Sequence, residues 1–186
     1  SIVGCLSYLV NMTRPDLAFT YSQLSKFVQS PGPVHLAAAE RALAYLRGTY
    51  SEGITYCDPG DECRNKLTGW VDSDFAADPD TRKSMTGYLF SLNGGAVSWR
   101  SSRQGGVTLS SAEAELYGMV EGVTRAKGLL NLASELGFRD LSNVIKMETD
   151  SSAAKSFISR RGVGRMRHLA IRGLWLQKEA REGRVE

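Results

Sequence analysis

Leu67-Thr68-Gly69-Trp70-Val71-Asp72-Ser73 reads as a β-strand, and the character of the chain changes where it begins. Thr86-Gly87-Tyr88-Leu89-Phe90-Ser91-Leu92 is a second strand and Ala96-Val97-Ser98-Trp99-Arg100 a third. Asn93-Gly94-Gly95 between them predicts a hairpin, because asparagine and glycine tolerate the positive φ that a tight turn needs. A long helix follows over about 112–136, with Leu116, Met119, Val120, Val123 and Leu130 on one stripe, and Gly137 ends it. Asn143 to Thr149 is a fourth strand, and Asp150-Ser151-Ser152 caps a helix that runs to about Ile158. A last helix over about 166–182 carries Leu169, Leu174, Trp175 and Leu176. The order β-β-β-α-β-α predicts an α/β fold, a mixed sheet with helices packed against it.

Upstream of Leu67 the pattern is helical. Arg14-Pro15-Asp16 opens a segment with Leu17, Tyr21, Leu24 and Phe27 at helical spacing, and Ser30-Pro31-Gly32-Pro33 breaks it. A second helix places Leu36, Ala39, Leu43 and Leu46 on one face, and Gly48 stops it. Gly53-Ile54-Thr55-Tyr56 is a strand candidate, and Asp58-Pro59-Gly60-Asp61-Glu62 a boundary loop. The predicted organisation is a small helical unit over 1–57, a linker over 58–66 and an α/β unit over 67–186.

Composition bounds the function less tightly. The chain has 186 residues, 42% of them hydrophobic, which suits one domain with an appendage or two small units. The net charge is only +3, from 23 basic and 20 acidic side chains, and does not by itself point to nucleic acid. Arg160, Arg161, Arg165, Arg167, His168 and Arg172 do lie close together with no acid among them, a run that by itself reads as a solvated helix face. Cys5, Cys57 and Cys63 make an odd count with no C-x-x-C pair, which argues against a disulfide framework or a zinc site and for a reducing, intracellular setting. The apolar opening, Ser1 to Val10, lacks the basic flank of a signal peptide and is too short to span a bilayer. The chain does not begin with Met, which reads as a fragment or a processed product.

The acids are placed suggestively. Cleaving a phosphodiester without a nucleophilic side chain calls for divalent metal, and oxygen ligands suit Mg²⁺. Two ions roughly 3.5–4 Å apart can activate water and stabilise the leaving oxygen, which requires carboxylates converging from different elements. Asp72 and Asp74 on the first strand, Glu113 and Glu115 opening the long helix, and Asp150 ending the fourth strand are the candidates. Each has a plainer reading: a strand-end acid facing water, glutamates at the positive end of a helix dipole, an N-cap. A helical wheel does not choose between Glu113 and Glu115, which flank the apolar stripe at similar angles. His35 and His168 stand too far from other ligands to suggest a histidine site.

The motifs taken together are specific. Val71-Asp72-Ser73-Asp74-Phe75-Ala76-Ala77-Asp78, Thr81-Arg82-Lys83-Ser84-Met85-Thr86-Gly87-Tyr88 and Val97-Ser98-Trp99-Arg100-Ser101 occur in that order. Ser110-Ser111-Ala112-Glu113-Ala114-Glu115-Leu116, Thr149-Asp150-Ser151-Ser152-Ala153 and Arg167-His168-Leu169-Ala170-Ile171-Arg172 follow. This series resembles the RNase H domain of copia-type LTR retrotransposon Pol polyproteins. Gly4-Cys5-Leu6-Ser7-Tyr8-Leu9, Thr13-Arg14-Pro15-Asp16 and Leu43-Ala44-Tyr45-Leu46-Arg47-Gly48-Thr49 resemble the thumb-like end of the same family's reverse transcriptase.

The resemblance implies an RNase H-like fold and metal-dependent endonucleolytic cleavage of the RNA strand of RNA–DNA hybrids during reverse transcription. Carried over residue by residue, it places the catalytic, metal-holding carboxylates on Asp72, Glu115 and Asp150, and leaves Glu113 a supporting role. Asp72 would lie between two Mg²⁺ ions, with Mn²⁺ as a substitute. Glu115 would hold one ion and orient water or a ribose 2′-OH, and Asp150 would hold the other. Asp74 and Asp78 match family acids that are not metal ligands. Arg82, Lys83, Arg100 and Arg103 are expected to neutralise phosphates, and Trp99 to belong to the core or stack on a sugar. The implied partners are the hybrid and the rest of the Pol polyprotein, with no membrane, in a cytoplasmic virus-like particle or the nucleus. Two departures stand out. The family often has Asp where this chain has Ala170, and Arg184-Val185-Glu186 reads as the start of a fifth strand whose remainder, with a helix and a fourth acid, is not in the chain. The fragment alone is therefore expected to be weak or inactive. The rival reading is a non-catalytic nucleic-acid-binding or connection module.

Overall fold

The computed structural model describes residues 1–56, 64–162 and 170–186. The expectations for Cys57, the loop Asp58–Glu62, Cys63, Arg165, Arg167, His168 and Leu169 lie outside the described residues.

Four strands form one sheet: β1 (Leu67–Asp74), β2 (Met85–Leu92), β3 (Gly95–Arg103) and β4 (Ile145–Glu148), in the order β3-β2-β1-β4. β1–β2 and β2–β3 are antiparallel, and β1–β4 is parallel. The β2–β3 turn is Asn93-Gly94, with φ of 49° and 79°. Both values are positive, as a two-residue hairpin turn that follows the twist of its strands requires. Outside β4, Val185 bridges Ile145 in parallel, with Glu186 N–H donating to the Ile145 carbonyl at 3.0 Å. The predicted fifth strand thus begins along that edge. The sheet is mixed and flanked by helices, as the order of elements predicts.

One face of the sheet is covered by α4 (Ser111–Glu135), with α5 (Ser152–Ser159) and α6 (Ala170–Arg181) packed beside it. Strand alternation explains the geometry: Leu67, Gly69, Val71 and Ser73 of β1 turn toward α4 and are buried, while Trp70, Asp72 and Asp74 turn away and are exposed. Leu116, Met119 and Val123 of α4 meet Val71, Phe90, Ile145 and Met147 in the main core.

The amino-terminal residues form α1 (Ile2–Met12), a 3₁₀ turn (Pro15–Leu17), α2 (Ala18–Ser25) and α3 (Pro33–Gly48) around a separate cluster of Leu6, Val10, Leu17, Leu24, Ala39 and Ala42. Two of the sequence motifs prove to be halves of one clamp. The buried Arg14 donates to Asp16 at 2.7 Å, to the Thr49 carbonyl at 3.1 Å and to Thr49 Oγ1 at 2.7 Å, tying Thr-Arg-Pro-Asp to the end of α3. His35 stacks on Phe27 and accepts the Gly32 N–H through Nδ1, so its role is local.

Four expectations need correction. Gly53–Tyr56 is not a strand: the segment passes the β2–β3 turn, where the Tyr56 hydroxyl donates to the Ala96 carbonyl and no ladder forms. The fourth strand is shorter than 143–149, because Val144 N–H bonds Ser142 Oγ at one end and Ser151 N–H bonds Thr149 Oγ1 at the other. Side-chain capping of α5 comes from Ser151, not Asp150, through the Ala154 N–H. On α3 the buried residues are Ala39 and Ala42, while Leu36 and Leu43 remain 52% and 41% exposed, since small side chains let α3 approach its neighbours closely.

Candidate metal centre

β1 and β4 run parallel, and their register pairs Trp70 with Glu148. Two residues further along each strand direction come Asp72 and Asp150, so the topology alone sets these acids side by side. Glu115 reaches them from the first turns of α4. That approach depends on two glycines: a Cβ on Gly118 would collide with Ser73 Oγ, and one on Gly122 would sit 2.5 Å from Val71 Cγ2. The result is a cluster in which carboxylate oxygens of Asp72, Glu115 and Asp150 all lie within 4.8 Å of one another.

The helix start decides between the two glutamates. Ser110 Oγ accepts the Glu113 N–H, and Glu113 Oε2 accepts the Leu109 N–H at 2.8 Å. This reciprocal cap holds Glu113 buried at 4% exposure and leaves Glu115 facing the aspartates.

Burial, then the nearby charge of Asp72 and then of Asp150, pushes the Glu115 carboxyl up to about 7, while the Ser73 backbone N–H acts weakly the other way. Three carboxylates this close repel one another when all are ionised. A divalent cation would relieve that repulsion. The ligand atoms are hard oxygens from three separate elements, so the residues fit Mg²⁺ or Mn²⁺.

The other acids do different work. Asp74 is exposed and lines the same groove as Asp72 and Asp150, outside the cluster. Asp78 is buried at 1% exposure. It accepts from Lys26 Nζ at 2.6 Å and from the Thr81 N–H and hydroxyl at 2.9 Å, with Arg103 at 3.5 Å. The Lys26 ammonium first, then the Thr81 amide, holds this carboxyl well below the usual carboxylate range.

The four basic residues are scattered. Arg103 is drawn to Asp78, on the α2 side of the sheet, and Lys83 Nζ donates to the Gly105 carbonyl at 2.6 Å. Arg100 lies on the α4 side, 4.0 Å from Glu121. Arg82 is exposed in the β1–β2 loop with φ of 55°. Trp99 is half-buried, and its indole N–H donates to the Val10 carbonyl at 2.6 Å, joining the helical unit to β3. Sequence reasoning missed Gln104, which is buried and spans β2 and α4 by donating to Thr86 Oγ1 and the Ala114 carbonyl. Nothing local to its sequence marks it.

No family model matches the chain. It is 44% identical over 126 residues to the secreted RxLR effector protein 161 of Plasmopara viticola, covering 68% of this chain and 87% of that protein. It is 37% identical to the retrovirus-related Pol polyprotein from transposon TNT 1-94 of Nicotiana tabacum, and 34% identical to that from transposon RE1 of Arabidopsis thaliana. These alignments cover 96% and 98% of the chain but span only 13% and 12% of the polyproteins. Among solved structures it is similar to RNase H1 from the halophilic archaeon Halobacterium salinarum NRC-1, at 16% identity and a TM-score of 0.40, over 61% of this chain and 77% of that one. In this chain the acids cluster where two parallel strands end. Its homologues thus include retrovirus-related Pol polyproteins from plant transposons, of which the chain spans about an eighth.

Proposed function

We propose that the chain is the RNase H portion of a copia-type retrotransposon Pol polyprotein, with residues 1–57 as the end of its reverse transcriptase, and that it hydrolyses the RNA strand of RNA–DNA hybrids. The observation that carries this reading is the convergence of Asp72, Glu115 and Asp150 from β1, α4 and the end of β4, in a chain of Pol ancestry. Those three residues would hold two divalent ions, which supply Lewis acidity toward the phosphate and lower the cost of ionising water. The chain's own part is to present three anionic ligands at fixed spacing and to keep Glu115 half-buried. Glu115 must give up its proton when metal binds, because only the carboxylate is a good ligand for a hard cation. Water adds to phosphorus, the P–O3′ bond breaks, and the products are a 5′-phosphate and a 3′-hydroxyl. The ribose 2′-OH is the group that distinguishes the RNA strand from DNA. The work would take place inside the cell, in a virus-like particle or the nucleus, as one part of a larger polyprotein. No helix among the described residues is long and apolar enough to cross a membrane.

The test is cleavage of a labelled hybrid in Mg²⁺ by residues 1–186 and by a longer Pol segment that continues past Glu186. Asp72→Asn and Asp150→Asn keep the shape but remove a charge the cation needs. Each is expected to abolish cleavage and leave hybrid binding in place. Cleavage that survives either change moves the site elsewhere. Binding without cleavage by both wild-type proteins leaves the non-catalytic module as the better reading.

A further inference from the structure

Beneath the acids lies a layer of buried hydroxyls and one buried amide. Ser73, the residue after Asp72 on β1, pairs with Thr86 of β2 in the antiparallel ladder. Both side chains face α4 at Gly118, and their hydroxyl oxygens lie 3.3 Å apart. Gln104, just past β3, donates through Nε2 to Thr86 Oγ1 at 2.8 Å and to the Ala114 carbonyl at 2.9 Å. Ala114 immediately precedes Glu115 on α4. On the other side, the Ser73 N–H donates to Asp72 Oδ1 at 2.8 Å and favours the ionised form of Glu115. The contacts close a ring. It runs from Asp72 to Ser73, Thr86, Gln104 and Ala114, then to Glu115 and back to the Ser73 N–H. Every side chain between the two acids is neutral.

The chemistry of the amide says why glutamine stands here. The Ala114 carbonyl can only accept, so the amide nitrogen must face it and Oε1 must point away. Oε1 has no partner among the described residues. An unpaired buried acceptor costs stability, and a methionine of similar length would fill the space without that cost. Stability alone therefore does not call for an amide at this position. What the amide adds is two donors on one rigid plane, which hold a strand hydroxyl and a helix carbonyl at a fixed separation. Hydrogen bonds behind metal ligands orient those ligands and tune affinity for the ion.

We propose that Gln104 is a positioning residue, whose amide sets the spacing of Asp72 and Glu115 by tying Thr86 and Ser73 to the start of α4. It bonds to neither acid and acts through the backbone beside each. The inference rests on the metal-centre reading of the acids and deepens it, by naming what holds two of the three ligands in register.

The experiment measures Mn²⁺ binding to residues 1–186, from the loss of the free-ion electron paramagnetic resonance signal, and amide exchange by NMR without metal. Q104M is expected to bind Mn²⁺ about tenfold more weakly than wild type. T86V should do the same, and Q104M/T86V should lose little more than either alone, because both break one chain. T86S keeps the hydroxyl and should stay within about threefold of wild type. The pair T86V and T86S carries the comparison if Q104M does not fold. Q177M is the control for a lost buried amide: Gln177 is fully buried and donates to the Phe157 and Gly162 carbonyls. It should lower the melting temperature at least as much as Q104M and change Mn²⁺ affinity by less than about threefold. Without metal, Q104M should speed exchange at Ser73 and Glu115 but not in the second half of α4. Unchanged Mn²⁺ affinity in Q104M, an equal loss in Q177M, or a loss in T86S as large as in T86V would overturn the proposal. No Mn²⁺ binding by wild type would sink the metal-centre reading instead, and exchange alone would then decide. Unchanged protection at Ser73 and Glu115 in Q104M would remove Gln104 from the positioning of the acids, and lost protection there would keep it.

Discussion

Glu115 is the residue on which the acid cluster turns, and its protonation gives a pH signature. Its carboxyl is raised to about 7 from an ordinary value of 4.5, by burial first and by Asp72 and Asp150 next. The folded state therefore holds this proton more tightly than the unfolded chain does. Without metal, the stability the proton confers is complete below about 4.5 and is lost as pH rises to about 7. Glu115→Gln removes this dependence. At pH 8 in a chelator the glutamine variant is expected to melt higher, by on the order of 2–4 °C, the shift that ~1 kcal/mol produces in a chain of this size once solvent screening is allowed for. The two proteins should converge at acid pH. Saturating Mg²⁺ should reverse the order at pH 8, because only wild type gains the third carboxylate ligand. Melting curves at two pH values, with and without Mg²⁺, check this. An unchanged difference between the variants at both pH values would remove Glu115 from the cluster's electrostatics.

At the scale of elements, the site depends on how closely α4 lies on β1. Gly118 and Gly122 face Ser73 and Val71 with no room for a side chain. Glu115 is less than one turn from Gly118, so any displacement there moves its carboxylate relative to Asp72. Gly118→Val is expected to cost about 1–3 kcal/mol through overpacking. It should also weaken Mn²⁺ binding more than a mutation of equal thermal cost about two turns further along the same buried face, such as Ala126→Gly. Equal losses of metal affinity at matched melting temperature would show that helix spacing does not set the cluster. The same scale shows why the glutamate choice was undecidable from periodicity. Helical spacing places Glu113 and Glu115 symmetrically about the stripe, and the cap formed with Ser110 and Leu109 breaks the symmetry. The motif resemblance had already selected Glu115, on grounds independent of geometry.

For the whole molecule, the question is what joins the helical unit to the sheet. Lys26, just past α2, pairs with the buried Asp78 of the β1–β2 loop, and Trp99 of β3 donates to the Val10 carbonyl. Because Lys26 and then Thr81 lower the Asp78 carboxyl, its contribution to stability is present above the ordinary carboxylate range and is lost as pH falls below it. Asp78→Asn should lower the melting temperature more than Asp80→Asn, a change at an exposed neighbour. It should also raise hydrogen exchange in both α2 and the β1–β2 loop, since one ion pair spans them. Lys26→Met should reproduce the exchange effect in α2. Exchange confined to the loop in Asp78→Asn would mean that the acid organises only its own turn.

The order of elements, the Asn93-Gly94 turn and the apolar stripe of α4 were legible in the sequence. Each arises from local physics: the periods of helix and strand, positive φ at a turn, the apolar residues between breakers. The tertiary structure decided what depends on residues far apart in the chain. It brought Asp72, Glu115 and Asp150 to one point, because parallel pairing of β1 with β4 aligns their ends while two glycines admit the helix. It also drew Arg103 to Asp78 and set Arg100 beside Arg125 and Arg172, a division invisible to composition. And it left Gly53–Tyr56 outside the sheet, since a strand forms only where a neighbour offers a free row of amides and carbonyls, and no local pattern records where that neighbour lies.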